Sequence, residues 1–348
     1  MNWIHKEFQL NEQSFSDSIE IVAFSQSISM ETYLFLKDWF SDLDFIEVQT
    51  SGSTGKAKII TLQKEFMVNS ALATGAFFNL PEKTTALLCM SPSYIAGKMM
   101  LVRALVLGWH LDIVAPISNP LKNSEKKYDF SAMVPLQLQN SLSGIHKIKK
   151  LIVGGGIVSA DLVSKIQEVP TKIFATFGMT ETITHIAVKK LNDFKNRTSS
   201  EEEKACFITF PNVSVAIDSR SCLVINAPKV SETQIITNDV VKIISKNKFK
   251  WLGRVDHVIN SGGIKLHPEE IEKKLAKIIS QRFFVAGVPD TNLGEKLILI
   301  IEGKKSTFIL SKAKTLTRFE MPKAIYFVDK FIETDTKKIQ RSKTLDLI

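Results

Sequence analysis

A nine-residue stretch, TSGSTGKAK, has the composition of a loop that binds a polyphosphate. Glycine lets the backbone turn its N–H groups towards a phosphate, hydroxyls donate hydrogen bonds, and lysine neutralises charge. It is not a Walker A loop, because Thr50 stands where that motif needs its first glycine and Ala57 follows Lys56 where a hydroxyl is required. A plain Ser/Gly linker is the alternative. The candidate phosphate contacts are Thr50, Ser51, Gly52, Ser53, Thr54, Gly55, Lys56 and Lys58.

Three segments that read as β-strands end in polar or glycine-rich loops. Phe45–Thr50 leads into the phosphate loop. Lys150–Val153 leads into Gly154–Gly156, and Lys172–Phe177 stops at Gly178. Strand-like segments alternate with helical ones along the chain, which predicts an α/β fold with mostly parallel sheets. An open parallel sheet binds its ligands at the carboxyl edge, so we expect these loops to meet there.

A turn-rich sequence, GRVDHVINSGG, separates the long first part of the chain from the last segment. We predict a large domain over 1–253, a junction over 254–257 and a small α+β domain over 258–348. In the small domain, Pro268 is suited to the first turn of a helix, where Glu269 and Glu270 would complement the helix dipole. The strands predicted after this helix are Phe283–Val288, Lys296–Glu302 and Lys323–Val328.

The composition is that of a folded globular protein. Of the 348 residues, 44% are hydrophobic and 23% are charged, which argues against intrinsic disorder. The most apolar stretch, Met99–Pro116, is interrupted by Arg103 and is not a membrane span. The first residues lack the apolar core of a signal peptide. We therefore expect a cytoplasmic protein without a membrane span; the sequence gives no indication of its oligomeric state.

The net charge of +9 is concentrated in the C-terminal third. Residues 241–348 hold 22 Lys/Arg and 12 Asp/Glu, so the preceding residues are close to neutral. Such a patch attracts polyanions: a nucleic acid, an acidic membrane or a phosphorylated small molecule. Lysines that only keep the protein soluble are the alternative. The chain has no aromatic-basic RNA motif and no helix-turn-helix signature, so no nucleic-acid partner is expected.

The phosphate loop closely resembles the signature of the AMP-forming adenylating enzymes, the superfamily of acyl-CoA synthetases, peptide-synthetase adenylation domains and luciferases. A second segment, FATFGMTET, resembles the family's aromatic-Gly-x-Thr-Glu motif. The resemblance implies that Thr180 bonds the α-phosphate and that Glu181 holds Mg²⁺, a hard cation that prefers oxygen ligands. Phe177, Gly178 and Met179 would then lie against the nucleotide, with phenylalanine where tyrosine is commoner.

Two further segments resemble family motifs in the expected order. TND is similar to Thr-Gly-Asp, which implies that Asp239 binds the ribose hydroxyls although Asn238 replaces the glycine. WLGRVDHVINSGGIKLHPEEIE is the longest match. It implies that Arg254 joins Asp239 on the ribose and that Asp256 is the hinge about which the small domain rotates. His257 stands where a second aspartate often follows.

The segment TDTKKIQR resembles the C-terminal Thr-x-x-Gly-Lys-x-x-Arg element. Lys338 then takes the position of the catalytic lysine, which stabilises charge between the carboxylate and the α-phosphate as pyrophosphate leaves. Lys337 replaces the usual glycine, and the acting residue of this doublet stays open. The resemblance also implies that adenine packs against Gly154, Gly155 and Gly156, and that Gly262 and Gly263 face the pantetheine thiol of CoA after the small domain has turned.

The short chain narrows the choice of the carboxylic acid that such an enzyme would activate. The o-succinylbenzoate–CoA ligases of menaquinone biosynthesis are among the shortest free-standing family members, and the segments Ser91–Gly108 and Met133–Leu142 resemble theirs. A guanidinium within an apolar helix is unfavourable without an anion, so Arg103 is expected to bind the carboxylate that is not activated. A salt bridge between Arg103 and a protein carboxylate is the alternative. Lys98 is either a second contact or extends to solvent.

Other functions stay open. The chain is either an acid–CoA ligase with Mg²⁺, ATP and CoA, or a related enzyme that activates a different carboxylic acid and passes it to a carrier protein. The resemblance runs from about Val48 onward, whereas relatives usually carry a hundred or more residues before the phosphate loop, so we expect a shortened N-terminal part. With Phe177, Asn238 and Lys337 at motif positions, an inactive family member is a further alternative.

Overall fold

The computed structural model describes residues 3–49, 58–192, 205–305, 315–334 and 339–348. No helix in these ranges is both long and apolar enough to span a membrane. Two parts of the predicted site, the loop residues 50–57 and the lysines Lys337 and Lys338, lie outside the described residues.

A twelve-stranded sheet forms the centre of the larger part of the described chain. Its order is β1-β5-β4-β6-β7-β8-β9-β10-β14-β13-β12-β11. The first six strands in this order run parallel and the rest antiparallel. The bounds are β1 Gln9–Leu10, β4 Thr85–Leu88, β5 His110–Ile113, β6 Tyr128–Met133, β7 Ile148–Val153, β8 Lys172–Gly178, β9 His185–Lys190, β10 Phe207–Thr209, β11 Ser214–Ile217, β12 Cys222–Asn226, β13 Ile235–Ser245 and β14 Lys248–Arg254.

The helices that cover this sheet are short, apart from two that contact each other. These two are α3 (Lys64–Phe78) and α4 (Ile95–Leu107). Helix α4 is apolar almost all round and correspondingly buried, with Gly108 at φ +69° ending it as a left-handed C-cap. The remaining helices described in this part of the chain are α1 Ser18–Ser25, α2 Met30–Trp39, α5 Pro135–Asn140 and α6 Ala160–Lys165.

A second sheet begins after β14 and a single 3-10 turn, Val255–His257. Its strands are β15 Ile259–Ser261, β16 Ile264–Leu266, β17 Phe283–Asp290, β18 Gly294–Glu302 and β19 Ala324–Val328. Helix α7 (Pro268–Leu275) buries Ile271 and Leu275 against this sheet, and α8 (Arg341–Leu345) is the last described helix. The change of sheet coincides with the predicted junction at 254–257, whereas rotation of two domains about it stays a prediction.

The predicted α/β fold is confirmed, with two differences in the sheets. The large sheet is parallel in only one half. The strand before the phosphate loop, β2 (Phe45–Gln49), does not join that sheet; it pairs antiparallel with β3 (Ile59–Gln63) in a separate two-stranded sheet. The prediction that this strand shares an edge with β7 and β8 is therefore wrong. The later strands, β17 to β19, lie where they were predicted.

Candidate active site

The parallel strands β7 and β8 lie side by side, and their carboxyl ends carry two of the predicted nucleotide-binding segments. Gly154 directly follows β7, and a side chain there would place Cβ 2.6 Å from Thr176 Oγ1 on β8. That hydroxyl in turn donates to the Val153 carbonyl at 3.2 Å. Gly155 has φ +77°, a conformation that glycine adopts without strain. Gly154 and Gly155 therefore allow the backbone to turn tightly at the edge of the sheet.

The turn after β8 is strained. Ile183 is β-branched and almost fully buried, yet it has φ +64° and ψ −65°, a γ-turn conformation that such residues rarely adopt. Thr182 holds the turn because its hydroxyl accepts from the Met179 N–H at 3.0 Å and lies 2.7 Å from the Thr184 carbonyl. Such strain clusters at functional sites. Thr180 and Glu181 stand at the head of this turn, and the Glu181 side chain is exposed.

Gly178 makes the turn possible, which gives a stability prediction. A Cβ at this position would lie 2.0 Å from the Thr184 carbonyl oxygen and 2.5 Å from the His185 Cα, both backbone atoms. Gly178→Ala is expected to lower the free energy of unfolding by about 1–3 kcal/mol, measured by denaturant titration. Gly156→Ala is the matched control, because among the described residues its Cβ would meet only Pro135, at 3.6 Å. Equal stability of the two variants would contradict the close approach of Gly178 to the Thr184 and His185 backbone.

The Phe177 ring lies in an aromatic cluster. Its centroid is 5.6 Å from that of Phe207 and 5.2 Å from that of Phe249, both edge-on. Edge-to-face contacts of this kind stabilise packing beyond the area they bury. The ring is therefore held by apolar contacts, which need no hydroxyl.

The predicted ribose contacts occupy paired positions on two strands. Asp239 on β13 and Arg254 on β14 face each other in the ladder. Asp239 accepts a hydrogen bond from Trp251 Nε1 at 2.8 Å, and burial raises the pKa of this carboxyl despite that bond and the nearby Arg254 charge. Arg254 donates to Asp256 Oδ2 at 2.8 Å, so the predicted ribose and hinge residues are in direct contact.

Asn238, which replaces a family glycine, contributes to this cluster. Its amide donates to Asp256 Oδ1 at 3.3 Å and its carbonyl accepts from Arg220 Nη1 at 3.1 Å. Sequence reasoning missed Arg220, because no motif surrounds it and its partners at this site, Thr237 and Asn238, lie on a later strand. The strand pairing brings it to the predicted ribose residues.

Arg103 is buried without a protein counter-ion in the described part of the chain. It is 1% exposed on α4, and burial lowers the pKa of its guanidinium to about 9, which leaves it charged at neutral pH. Nε donates to Thr74 Oγ1 at 3.3 Å and Nη2 donates to Thr184 Oγ1 at 3.1 Å. No carboxylate of a described residue forms an ion pair with it, which removes the predicted alternative of a structural salt bridge within these ranges.

His185 completes the surroundings of Arg103 and was not predicted. Its Nε2 lies 3.3 Å from Thr74 Oγ1, whose own proton is directed to the Ser70 carbonyl at 2.9 Å. The hydroxyl therefore accepts from the imidazole, which assigns the proton to Nε2. Burial, with the Arg103 charge, holds the pKa of His185 well below its usual value, so the ring is neutral. The described groups that bond the guanidinium are thus uncharged.

Lys98 does not lie beside Arg103. Its ammonium is 4.8 Å from the ring centroid of Phe35 on α2, a cation–π contact, and burial lowers its pKa. The two basic residues of α4 are five positions apart, so their side chains leave the helix in different directions. The structure therefore separates the two predicted acid-binding residues.

The other predicted site residues that the structure describes are Lys58, Gly262 and Gly263. Lys58 is exposed immediately before β3. Gly262 and Gly263 form the turn between β15 and β16 with φ +57° and +80°. Among the described residues, no atom lies within 4 Å of where a Gly263 Cβ would be, whereas a Gly262 Cβ would lie 3.2 Å from Leu293.

Comparisons with known proteins identify the family of this chain. The model of the AMP-binding enzyme family matches residues 48–224, half of the chain. A curated 2-succinylbenzoate–CoA ligase from Lactococcus lactis is 24% identical over 85% of this chain and 69% of its own length. One from Listeria monocytogenes is 25% identical over 84% and 68%.

Solved structures lead to the same family. An acyl-CoA synthetase (AMP-forming)/AMP-acid ligase II-like protein from Dyadobacter fermentans is 34% identical, with a TM-score of 0.61 over 91% of this chain and 93% of that one. The o-succinylbenzoate CoA synthetase of Bacillus subtilis, solved with an acyl-adenylate, has a TM-score of 0.74 at 18% identity over 85% and 68%. Together with the site residues at the strand ends, the family match shows that this chain belongs to the AMP-binding enzymes.

Proposed function

We propose that this protein is an AMP-forming o-succinylbenzoate–CoA ligase. In the first half-reaction an acid carboxylate attacks the α-phosphate of ATP, which forms an acyl-adenylate and releases pyrophosphate. In the second, the thiol of CoA attacks the acyl carbon, which forms the thioester and releases AMP. The similar curated proteins that carry this name support the assignment.

The observation that carries the choice of acid is the buried Arg103. Leaving a guanidinium in an apolar interior without an anion is unfavourable, so such a residue is expected to gain its partner from a ligand. o-Succinylbenzoate has two carboxylates, and only one is activated. Nη1 of Arg103 makes no hydrogen bond to a described residue. A planar guanidinium can bind a carboxylate through two parallel hydrogen bonds. The second carboxylate is proposed to bind there.

Glu181 suits the role of Mg²⁺ ligand. It is an exposed carboxylate at the head of a strained turn, and the described residues contain no cluster of three or more potential metal ligands. Mg²⁺ commonly binds through one or two carboxylates together with substrate phosphates. When bound, it would neutralise charge on the phosphates of ATP, while Thr180 in the same turn would donate to the α-phosphate.

The predicted ribose and hinge residues have complementary roles in this proposal. Asp239 would accept hydrogen bonds from the ribose hydroxyls, and Arg254 would bind beside it. Asp256, which Arg254 and Asn238 both contact, would be the point about which the part of the chain after it rotates between the half-reactions. Lys338 would serve the first half-reaction, and Gly262 and Gly263 would face CoA in the second.

The direct test is pyrophosphate release from ATP across a panel of carboxylic acids, with and without CoA. We expect o-succinylbenzoate to be the preferred acid and CoA to stimulate AMP release. Turnover of other acids but not of o-succinylbenzoate would contradict the substrate. Adenylate formation without any stimulation by CoA would contradict the ligase and favour a carrier-protein acceptor. Absence of turnover with every acid would indicate an inactive family member.

A further inference from the structure

The hydroxyl of Thr184 is shared by elements that are distant in sequence. It accepts a hydrogen bond from Arg103 Nη2 of α4 at 3.1 Å. It also lies 3.2 Å from Ser70 Oγ of α3, which can accept its proton. The backbone of Thr184 closes the turn between β8 and β9, at the head of which stand Thr180 and Glu181. One side chain thus connects the buried guanidinium with the segment that is proposed to bind the α-phosphate and Mg²⁺.

This turn depends on its surroundings for its conformation. Ile183 has φ +64° and ψ −65°, and the Thr184 N–H donates to the Thr182 carbonyl at 2.7 Å across it. Positive φ is unfavourable for a β-branched residue, so such a turn persists only where neighbouring groups hold it. The contacts from α3 and α4 do so from outside the turn. A turn relaxed to negative φ at Ile183 is the alternative state, and it would displace the phosphate- and metal-binding residues at its head.

The orientation of the Arg103 guanidinium decides whether Thr184 keeps its bond. Nε donates to Thr74 Oγ1 at 3.3 Å and Nη2 to Thr184 Oγ1 at 3.1 Å, while Nη1 bonds no described residue. Because Nη2 carries two protons, it can bond Thr184 and a carboxylate at once. The guanidinium is planar and its N–H directions are fixed, so a carboxylate bound to Nη1 and Nη2 restricts its rotation. An anion at Arg103 therefore strengthens the contact that holds the turn.

We infer that Thr184 is a positioning residue that couples two binding sites: a carboxylate bound to Arg103 favours the turn conformation in which Thr180 and Glu181 bind ATP with Mg²⁺. The inference rests on the proposed function. Coupling between two sites is reciprocal, so ATP strengthens binding of the diacid by the same factor. An acid that lacks the second carboxylate does not engage Arg103 and does not stabilise the turn. The diacid is thus selected by its effect on the nucleotide site as well as by its contact with the guanidinium.

The test measures binding of the α,β-methylene analogue of ATP with Mg²⁺, because attack of the acid cannot break its bond between the α and β groups. Isothermal titration calorimetry without acid and with saturating o-succinylbenzoate gives two dissociation constants. In the wild type the acid is expected to tighten binding of the analogue about tenfold, within the usual range for coupled sites. The matched acid carries an amide in place of the carboxylate that is not activated, and it should tighten binding much less.

Variants of two hydroxyls locate the coupling. Thr184→Val removes the hydroxyl with little change of shape and is expected to abolish the tightening, whereas Thr184→Ser keeps the hydroxyl and should retain it. Thr74→Val is the matched control, because it also removes a hydroxyl that bonds Arg103 but lies on α3 and not in the turn. It should weaken binding of the diacid and preserve the tightening. Thr184 is half-buried, so Thr184→Ala provides the same test if the valine variant fails to fold.

Each outcome bears on the coupling or on the proposed function. Tightening that survives in Thr184→Val, that is lost equally in Thr74→Val, or that both acids produce equally would overturn the inference. Wild-type protein that binds no analogue, or that releases no pyrophosphate with o-succinylbenzoate, would instead contradict the proposed function. Wild-type protein that turns over the diacid but binds it and the analogue independently contradicts the coupling alone.

Discussion

Lys338→Ala is expected to lower adenylate formation on the order of 100- to 1000-fold, the usual effect of removing one group that stabilises transition-state charge. The lysine is proposed to neutralise charge that develops between the carboxylate and the α-phosphate, where catalysis consists mainly of positioning and charge stabilisation. Acid-dependent exchange of pyrophosphate into ATP measures this step. Thioester formation from supplied acyl-adenylate should be retained, because in the proposed mechanism the lysine has left the site when CoA reacts.

Lys337→Ala is the matched control, because the two lysines are adjacent and have the same charge. It is expected to keep exchange within a few-fold of wild type, since a single charge that acts only through solvent contributes little. If Lys337→Ala loses exchange and Lys338→Ala does not, the catalytic position lies one residue earlier. If both variants lose both half-reactions equally, the doublet serves the structure of the segment and neither residue is the catalytic lysine.

Local patterns in the sequence predicted several elements well. The β-rich run before Gly178 forms β8, and Pro268 opens α7 with Ile271 and Leu275 buried as the helical spacing requires. Glycine restricts where a strand can end, and a period of about 3.6 residues identifies the buried face of a helix. Both signals are contained within a few consecutive residues, so the sequence alone was sufficient to predict the end of β8 and the buried face of α7.

Strand pairing could not be predicted from such patterns. The segment that became β2 has the same character as β7 and β8, but its partner is β3, on the far side of the phosphate loop. Hydrophobic periodicity shows that a segment is extended and which residues share a face. It does not show which other strand accepts its hydrogen bonds, since that depends on the whole sheet.

Side-chain partners distant in sequence were also missed. Glu269 was predicted to complement the dipole at the start of α7, but it is buried because α7 packs against Gly253 and His257. Likewise, the apolar helix around Arg103 predicted a buried guanidinium. Its neighbours Thr74 and Thr184 lie 29 and 81 residues away and carry no motif of their own. Tertiary packing alone brings these groups together.

Replacing the buried Arg103 is expected to have the second large effect on activity. Arg103→Met is expected to lower kcat/KM for o-succinylbenzoate on the order of 100-fold, because truncating one partner of a buried charge pair weakens binding strongly. An aromatic acid without the second carboxylate should be used as well as by wild type, or better. Measuring both acids separates loss of a specific contact from general damage, since damage would lower both rates together.

Stability gives an independent check on the same variant. In the ligand-free protein Arg103 is a buried charge whose described partners are hydroxyls, and replacing such a charge with an apolar side chain of similar length is often neutral or stabilising. The melting temperature of Arg103→Met should therefore be unchanged or higher while its use of the diacid falls. Lys98→Met on the same helix loses a contact with Phe35 and should not alter the preference between the two acids. If Lys98→Met abolishes that preference and Arg103→Met does not, the carboxylate binds on the other face of α4.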